Sequence, residues 1–209
     1  CYKIMKQTNI RDKEILEIGP GFGFMTDIIL EYNPKRIILI EKDYELYKYL
    51  REKYKTNTKI SIYEEDILKY KLDNLKNLII ISNLPYNIST KIILHLFNYK
   101  NNISEMILMV QKEVAQKFDY NLIKMNKYKL FTKIVSSYSI CFHVSSNVFI
   151  PRPKIKSSIV RFKFNKNKVD LEKANIFSKT IFKNVRKKIS NNIKMQLNKK
   201  ISDKRVNQL

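Results

Sequence analysis

The sequence predicts an α/β fold, an open sheet with helices on both faces followed by a small all-helical C-terminal region. Three observations carry that prediction. Short aliphatic runs recur between longer segments of helical spacing, which is the pattern of strands alternating with helices. Each run ends in a polar or glycine-rich loop, where an open α/β sheet presents its ligand-binding edge. From about Asp170 the strand-like runs stop and the spacing turns wholly helical.

Glu14 to Ile18 reads as a short buried strand that runs into Gly19-Pro20-Gly21-Phe22-Gly23. These are the only three glycines in the chain, where a chain of this length averages about 15. Glycine is needed where the backbone takes positive φ or where a ligand touches the main chain. A glycine turn between a strand and the helical segment Phe24 to Tyr32 therefore predicts a nucleotide-like ligand against the loop. The spacing is G-x-G-x-G rather than the G-x-G-x-x-G of dinucleotide folds, which points to a different cofactor.

Arg36 to Ile40 is the second strand, and Glu41 at its end stands roughly 20 residues past the glycine turn, where nucleotide-binding α/β folds place a ribose-binding acid. An acid there can accept both ribose hydroxyls; the plainer reading is a solvated acid opening the helix Tyr44 to Lys53. Ile60 to Tyr63 alternates as a third strand, followed by Glu64-Glu65-Asp66, of which Asp66 is set to accept from an adenine amine. Leu78 to Ser82 is the fourth strand, and Pro85 stops its ladder. In Asn83-Leu84-Pro85-Tyr86, the Asn83 amide oxygen and the Leu84 carbonyl can both accept from one planar amine. Pro85 stiffens the turn and Tyr86 offers a face on which a base can stack.

Thr90 to Phe97 has helical spacing, Met106 to Val110 reads as a strand and Gln111 to Phe118 as an amphipathic helix. Residues 119–129 are polar and basic and read as a mobile loop over the target pocket. Tyr128 to Tyr138 follows as a helix, and Ser139 to Val144 with Ser158 to Phe164 as a closing pair of strands. Leu171 to Lys183 and Ile189 to Leu197 are the final helices, separated by the basic run Arg186-Lys187-Lys188.

The 209 residues suffice for one sizeable domain with a small appendage. No apolar run approaches the roughly 20 residues of a membrane span, and no signal-peptide pattern opens the chain, so a soluble protein is expected. Cys1 and Cys141 make no disulfide framework, and with only His95 and His143 no metal site is expected. The formal net charge of +22 is unevenly placed. Residues 1–85 hold 15 Lys+Arg against 13 Asp+Glu, whereas residues 86–209 hold 26 against 6. A basic half of that size concentrates polyanions, which makes nucleic acid the expected partner. AT-rich coding accounts for part of the lysine excess but not for the even balance of charge ahead of Tyr86.

Glu17-Ile18-Gly19-Pro20-Gly21, Ile40-Glu41, Asp66 and Asn83-Leu84-Pro85-Tyr86-Asn87-Ile88-Ser89-Thr90 together resemble the S-adenosylmethionine-dependent rRNA adenine dimethyltransferases of the KsgA type. The resemblance continues through Met109-Val110-Gln111-Lys112-Glu113-Val114-Ala115 and through Phe149-Ile150-Pro151-Arg152-Pro153-Lys154-Ile155-Lys156-Ser157-Ser158. It covers nearly the whole chain, in the family's order.

The resemblance implies a Rossmann-like class I methyltransferase sheet over residues 1–166 and a small helical RNA-binding domain, incomplete, over residues 167–209. It implies S-adenosyl-L-methionine as cofactor, held by Glu17, Gly19, Gly21, Gly23, Glu41, Asp66 and Asn83. Asn83, Leu84, Pro85, Tyr86 and Phe149 would form the catalytic set, with Tyr86 and Phe149 sandwiching a flipped adenine. Lys91, Lys112, Arg152, Lys154, Arg186, Lys187 and Lys188 would meet RNA. The implied substrate is the rRNA of the small subunit or its precursor particle, at two adjacent adenines near the 3′ end, worked on by a monomer without metal or membrane.

The family's N-terminal Gly-Gln-x-Phe-Leu segment has no counterpart in the stretch before Ile15. Lys91 replaces a proline, Lys129 a glycine, and Lys156 stands where an acid is common; each is expected to add positive charge near the RNA face, and none removes a group of the catalytic set. The antibiotic-resistance enzymes that methylate large-subunit rRNA share Pro-Tyr-Asn-Ile-Ser-Thr but carry Ile where Leu84 stands, and rank second. A non-catalytic RNA-binding assembly factor or mitochondrial transcription factor of the same fold is the alternative of another class. The motif forms and AT-rich bias place the chain in a bacterial cytoplasm or in an endosymbiont-derived organelle.

Overall fold

The computed structural model describes residues 2–145, 156–165, 169–183, 191 and 193. Its elements run α1 (Tyr2–Met5), β1 (Glu14–Ile18), α2 (Phe24–Glu31), β2 (Arg36–Glu41), α3 (Tyr44–Lys53), β3 (Ile60–Glu64), β4 (Leu78–Asn83), α4 (Ser89–Phe97), β5 (Ile103–Gln111), α5 (Lys112–Phe118), α6 (Lys127–Val135), β6 (Ser136–Val144), β7 (Ser157–Phe164) and α7 (Leu171–Ile181).

Seven strands form one sheet in the order β3-β2-β1-β4-β5-β7-β6. Strands β1 to β5 pair in parallel, and β7 is antiparallel to both β5 and β6. The chain first walks outward from β1 to β3, then returns to lay β4 on the other side of β1. That reversal opens a crevice at the carboxyl ends of β1 and β4, where ligands of open α/β sheets bind. Ser82 marks the parting: its hydroxyl donates to the Ile18 carbonyl at 2.6 Å. A side chain thus satisfies an acceptor that no ladder partner reaches.

The aliphatic runs are strands buried on both faces, and side-chain alternation splits them between two cores. Ile15, Ile37, Leu39, Ile79 and Ile81 pack with α1, α2 and α3 through Met5, Met25, Ile29, Leu50 and Tyr54. Leu16, Ile18, Ile38, Ile40 and Ile80 pack with α4, α5 and α6 through Ile92, Leu96, Phe97, Val114, Phe118, Phe131 and Val135. Phe97 is the hub of the second core, its ring 5.5 to 6.2 Å from those of Phe118, Phe131, Phe162 and Phe164. Edge-to-face pairs of this kind contribute about 0.5–1.5 kcal/mol each beyond their burial. Ala174 of α7 is buried in the same core, so the first helix after the sheet packs onto it.

Three expectations need correction. The helix predicted over Tyr128 to Tyr138 is α6, Lys127–Val135, and Tyr138 lies in β6. The alternating Ser136-Ser137-Tyr138-Ser139 segment pairs with β7 from Ser136 opposite Phe164 onward, and that ladder outweighs local helical preference. The basic loop expected over 119–129 ends early, because Asn126 caps α6 by accepting from the Tyr128 and Lys129 N–H groups at 2.8 and 2.9 Å. Lys129 is buried, its ammonium donating to the Lys124 carbonyl at 2.8 Å, so it secures the loop and adds no surface charge. The helix expected over Ile189 to Leu197 lies outside the described residues, two isolated positions apart. Among the described residues no helix is long and apolar enough to cross a membrane.

Candidate active site

The carboxyl edge of the sheet carries a cleft of about 940 Å³, a size suited to a small-molecule ligand. Gly19 and Gly21, Glu41 to Asp43, Asp66, and Asn83 to Ile88 all line it. The glycine turn after β1 and the Asn-Leu-Pro-Tyr loop after β4 therefore face one another across the crevice.

Gly19 and Gly21 have φ of +61° and +59°, and no other atom lies within 4 Å of where a Cβ would stand on either. A side chain there would fill the cleft and strain the backbone. Gly23 is different and does not line the cleft. It caps α2 at φ +76°, and a Cβ on it would come within 2.4 Å of the Tyr54 hydroxyl. That hydroxyl donates to Asp27 Oδ1 at 2.6 Å and lies 3.0 Å from the Gly23 carbonyl. Lys53 donates to Asp27 Oδ2 at 2.6 Å and to the Phe22 carbonyl at 3.0 Å. The turn is clamped from behind by the end of α3, and packing against Tyr54 by itself requires the third glycine.

Glu17 does not line the cleft either. It shares the sheet face of Ile15, toward α2, and is fully buried, with the Thr26 hydroxyl donating to its Oε2 at 2.6 Å. Burial pushes its carboxyl up to about 8, against the lowering effect of the Thr26 hydrogen bond. Glu17 thus stands as a neutral acid behind the glycine turn at pH 7.

Glu41 lines the cleft and organises its wall. Oε1 accepts from the Lys42 and Asp43 N–H groups at 2.8 and 2.9 Å, and Oε2 from the Gly21 N–H at 3.2 Å. A carboxylate offers about four lone-pair sites, and three are occupied. The two-hydroxyl grip expected from the sequence is reduced to a single open site on Oε2. Asp66 accepts from the Leu68 N–H on Oδ1 and from the Lys42 ammonium on Oδ2, both at 3.0 Å. The Leu68 hydrogen bond, then Lys42, hold its carboxyl below the usual range.

Asn83 is the last residue of β4, opposite Met109 of β5, and its side chain is exposed at the cleft. The Leu84 N–H donates to the Met109 carbonyl at 3.1 Å while its side chain is buried; only its carbonyl can serve a ligand. The Tyr86 hydroxyl is hydrogen-bonded to Ser157 Oγ at 2.9 Å, which fixes the ring against the start of β7. Sequence reasoning misses Ser157, although it stands within the Lys156-Ser157-Ser158 step of the family's pattern. Two neutral acceptors, one tethered aromatic ring and a glycine turn around one cleft suit transfer to a planar amine from a bound nucleotide-like donor.

Of the basic residues expected to meet RNA, Lys91 and Lys112 are exposed at the starts of α4 and α5, on the same edge of the sheet. Phe149, Arg152, Lys154, Arg186, Lys187 and Lys188 lie outside the described residues. Cys141 falls at a register shift of β6, and His143 Nδ1 is hydrogen-bonded to Ser158 Oγ at 2.8 Å. Among the described residues no group of three or more His, Cys, Asp or Glu is placed to hold a metal.

The chain is 36% identical over 200 residues to the ribosomal RNA small subunit methyltransferase A of Malacoplasma penetrans, covering 92% of this chain and 72% of that protein. Among solved structures, a dimethyladenosine transferase from Plasmodium falciparum superposes with a TM-score of 0.78 at 23% identity, covering 89% of this chain and 69% of that one. The 23S rRNA methyltransferase ErmE does so with a TM-score of 0.78 at 22% identity, covering 91% and 79%. Both structural likenesses are of fold. The family model described as ribosomal RNA adenine dimethylase matches residues 1–208, and the chain belongs to that family.

Proposed function

We propose that this chain transfers methyl groups from S-adenosylmethionine to the exocyclic amine of adenines in small-subunit rRNA, at two adjacent adenines near the 3′ end. The observation that carries the reading is the single cleft lined by both the glycine turn and the Asn83-Leu84-Pro85-Tyr86 loop. The small-subunit methyltransferase named among its relatives supports the choice of RNA.

When bound, the cofactor supplies an electrophilic methyl group on a sulfonium sulfur. Gly19 and Gly21 would offer bare main chain to its amino-acid portion, Glu41 Oε2 would accept from a ribose hydroxyl, and Asp66 from the adenine amine. The target nitrogen is a poor nucleophile because its lone pair is delocalised into the ring. The Asn83 amide oxygen and Leu84 carbonyl would accept its two N–H groups and favour a pyramidal nitrogen whose lone pair faces the methyl. Neutral acceptors suit this work: a carboxylate beside the sulfonium would stabilise the ground state and gain little in the transition state. Alignment supplies most of the acceleration, up to about 7–11 kcal/mol in well-ordered systems. The displaced proton leaves to water after transfer.

A base must leave its stack at a cost of a few kcal/mol, which stacking on Tyr86 and on Phe149 would offset. Lys91, Lys112, Arg152, Lys154 and Arg186 to Lys188 would hold phosphates, a sequence-blind grip that leaves RNA choice to the shape of the face. In this reading residues 1–166 are the catalytic domain and residues 167–209 a helical RNA-binding part. The enzyme works as a monomer on the pre-ribosomal small subunit, in a bacterial cytoplasm or an endosymbiont-derived organelle.

The test is incubation of unmodified small subunits with labelled cofactor, followed by primer extension. Stops at two neighbouring adenines near the 3′ end are expected. Label confined to large-subunit RNA would replace this reading with the antibiotic-resistance type of activity.

A further inference from the structure

The wall of the cleft carries an ion pair that the chemistry above does not use. Lys42 and Asp66 both line the cleft, and the Lys42 ammonium donates to Asp66 Oδ2 at 3.0 Å. Oδ1 of the same carboxylate accepts from the Leu68 N–H at 3.0 Å, so the carboxylate is held from one side by its own loop and from the other by Lys42. The two partners differ in freedom. The Lys42 side chain is 74% exposed, whereas that of Asp66 is 21% exposed. Apart from that pair, Lys42 is held at its backbone, whose N–H donates to Glu41 Oε1 at 2.8 Å. A long exposed chain can swing away from a fixed carboxylate.

We propose that Lys42 is a latch on the adenine end of the cleft, competing with the cofactor's ring amine for Asp66 and thereby setting cofactor affinity. This rests on reading the cleft as an adenosyl-cofactor site. Two effects act with the same sign. The ammonium stands at Oδ2, the Asp66 oxygen that the Leu68 N–H leaves open. Its charge also draws electron density from the carboxylate and makes it a poorer acceptor. Opening the latch costs what a largely exposed ion pair is worth, which corresponds to a factor of about two to five in affinity. The consequence is a cofactor that leaves readily, as suits an enzyme that must exchange it between successive transfers.

The test measures dissociation constants by calorimetry for S-adenosylmethionine and S-adenosylhomocysteine, with the wild-type chain, Lys42→Met and Lys42→Arg. Met keeps the apolar stem and removes the charge; Arg keeps the ion pair. Lys42→Met is expected to bind both ligands about two- to fivefold more tightly, with Lys42→Arg no tighter than wild type and the unliganded melting temperature of Lys42→Met lowered by no more than roughly 4 °C. The second ligand separates the latch from simple charge repulsion, because only the first carries a sulfonium. Tightening for S-adenosylmethionine alone, or equal affinities in wild type and Lys42→Met, would overturn the latch and leave the cofactor reading intact. If no variant binds either ligand, the cofactor reading falls, and the latch falls with it.

Discussion

Glu17 gives the most direct quantitative test of the architecture behind the glycine turn. Its carboxyl is lifted from 4.5 to about 8 by burial, and each factor of ten in acidity is about 1.4 kcal/mol. Ionised Glu17 therefore costs the folded chain on the order of 5 kcal/mol, a linkage that appears as a pH dependence of stability. The sign follows from proton counts. Below about pH 4.5 both folded and unfolded chains hold the proton and nothing is lost. Between 4.5 and 8 the unfolded chain releases a proton that the folded chain keeps, so stability falls as pH rises, by about 3 kcal/mol at pH 7. Above 8 both states are ionised and the loss levels off. Glu17→Gln keeps an acceptor for Thr26 and removes the titration. The assay is urea unfolding of both proteins from pH 4.5 to 9, taking the difference in stability so that all other titrating groups cancel. The difference should grow by roughly 1.4 kcal/mol per pH unit in favour of the variant between about pH 5 and 7.5, then flatten. Parallel curves would mean that Glu17 is already ionised in the folded chain, and the reading of a neutral acid behind the turn would fail.

Three further outcomes are expected. Asn83→Ala should lower turnover at least about a hundredfold while RNA binding in a filter assay persists; loss of RNA binding instead would remove its proposed role. Gly23→Ala should destabilise the chain by about 1–3 kcal/mol in thermal unfolding, and Tyr54→Phe in the same chain should recover part of that, because the clash is with the Tyr54 hydroxyl. Arg161→Met should cost roughly 1–3 kcal/mol. Arg161 Nε donates to Glu105 Oε2 at 2.7 Å, and Glu105, also bonded by the Thr8 hydroxyl, is only 8% exposed. Adding Glu105→Gln to Arg161→Met should restore part of the loss, measured as a double-mutant cycle.

The layout of the site is legible in the sequence because it is written in strand ends. Ile15-Leu16, Ile37 to Ile40 and Leu78 to Ile81 are aliphatic enough to be strands covered on both faces. The loop after each strand is then at the carboxyl edge by construction, and Gly19, Glu41, Asp66 and Asn83 duly meet there. The features that escape a reading of the sequence depend on partners distant along the chain. Gly23 reads as one more ligand-binding glycine until Tyr54, 31 residues on, is seen against it. Glu17 reads as part of the turn's motif, but alternation along β1 sends it under α2. Glu41 belongs at the cleft as expected, yet its sequence position does not reveal that three backbone N–H groups occupy most of its acceptor capacity. Lys129 looks like surface charge because nothing in its neighbourhood announces that carbonyls of its own preceding loop will close over the ammonium. Ser136 to Tyr138 read as helix because their ladder partners, Phe162 to Phe164 of β7, come only after the rest of β6 and the connection that follows it.

Helix α3 touches the glycine turn at both of its ends. At its start, Glu41 holds the Asp43 and Gly21 N–H groups together; at its finish, Lys53 and Tyr54 reach the Phe22 carbonyl and Asp27. The helix therefore has a set length, about 15 Å for its ten residues, that fixes where the side chains flanking it reach back to one small loop. Inserting or deleting a single residue would turn one end about 100° relative to the other and pull the turn apart. Substitutions on the outer surface of α3 leave both contacts in place, whereas a change in its length does not.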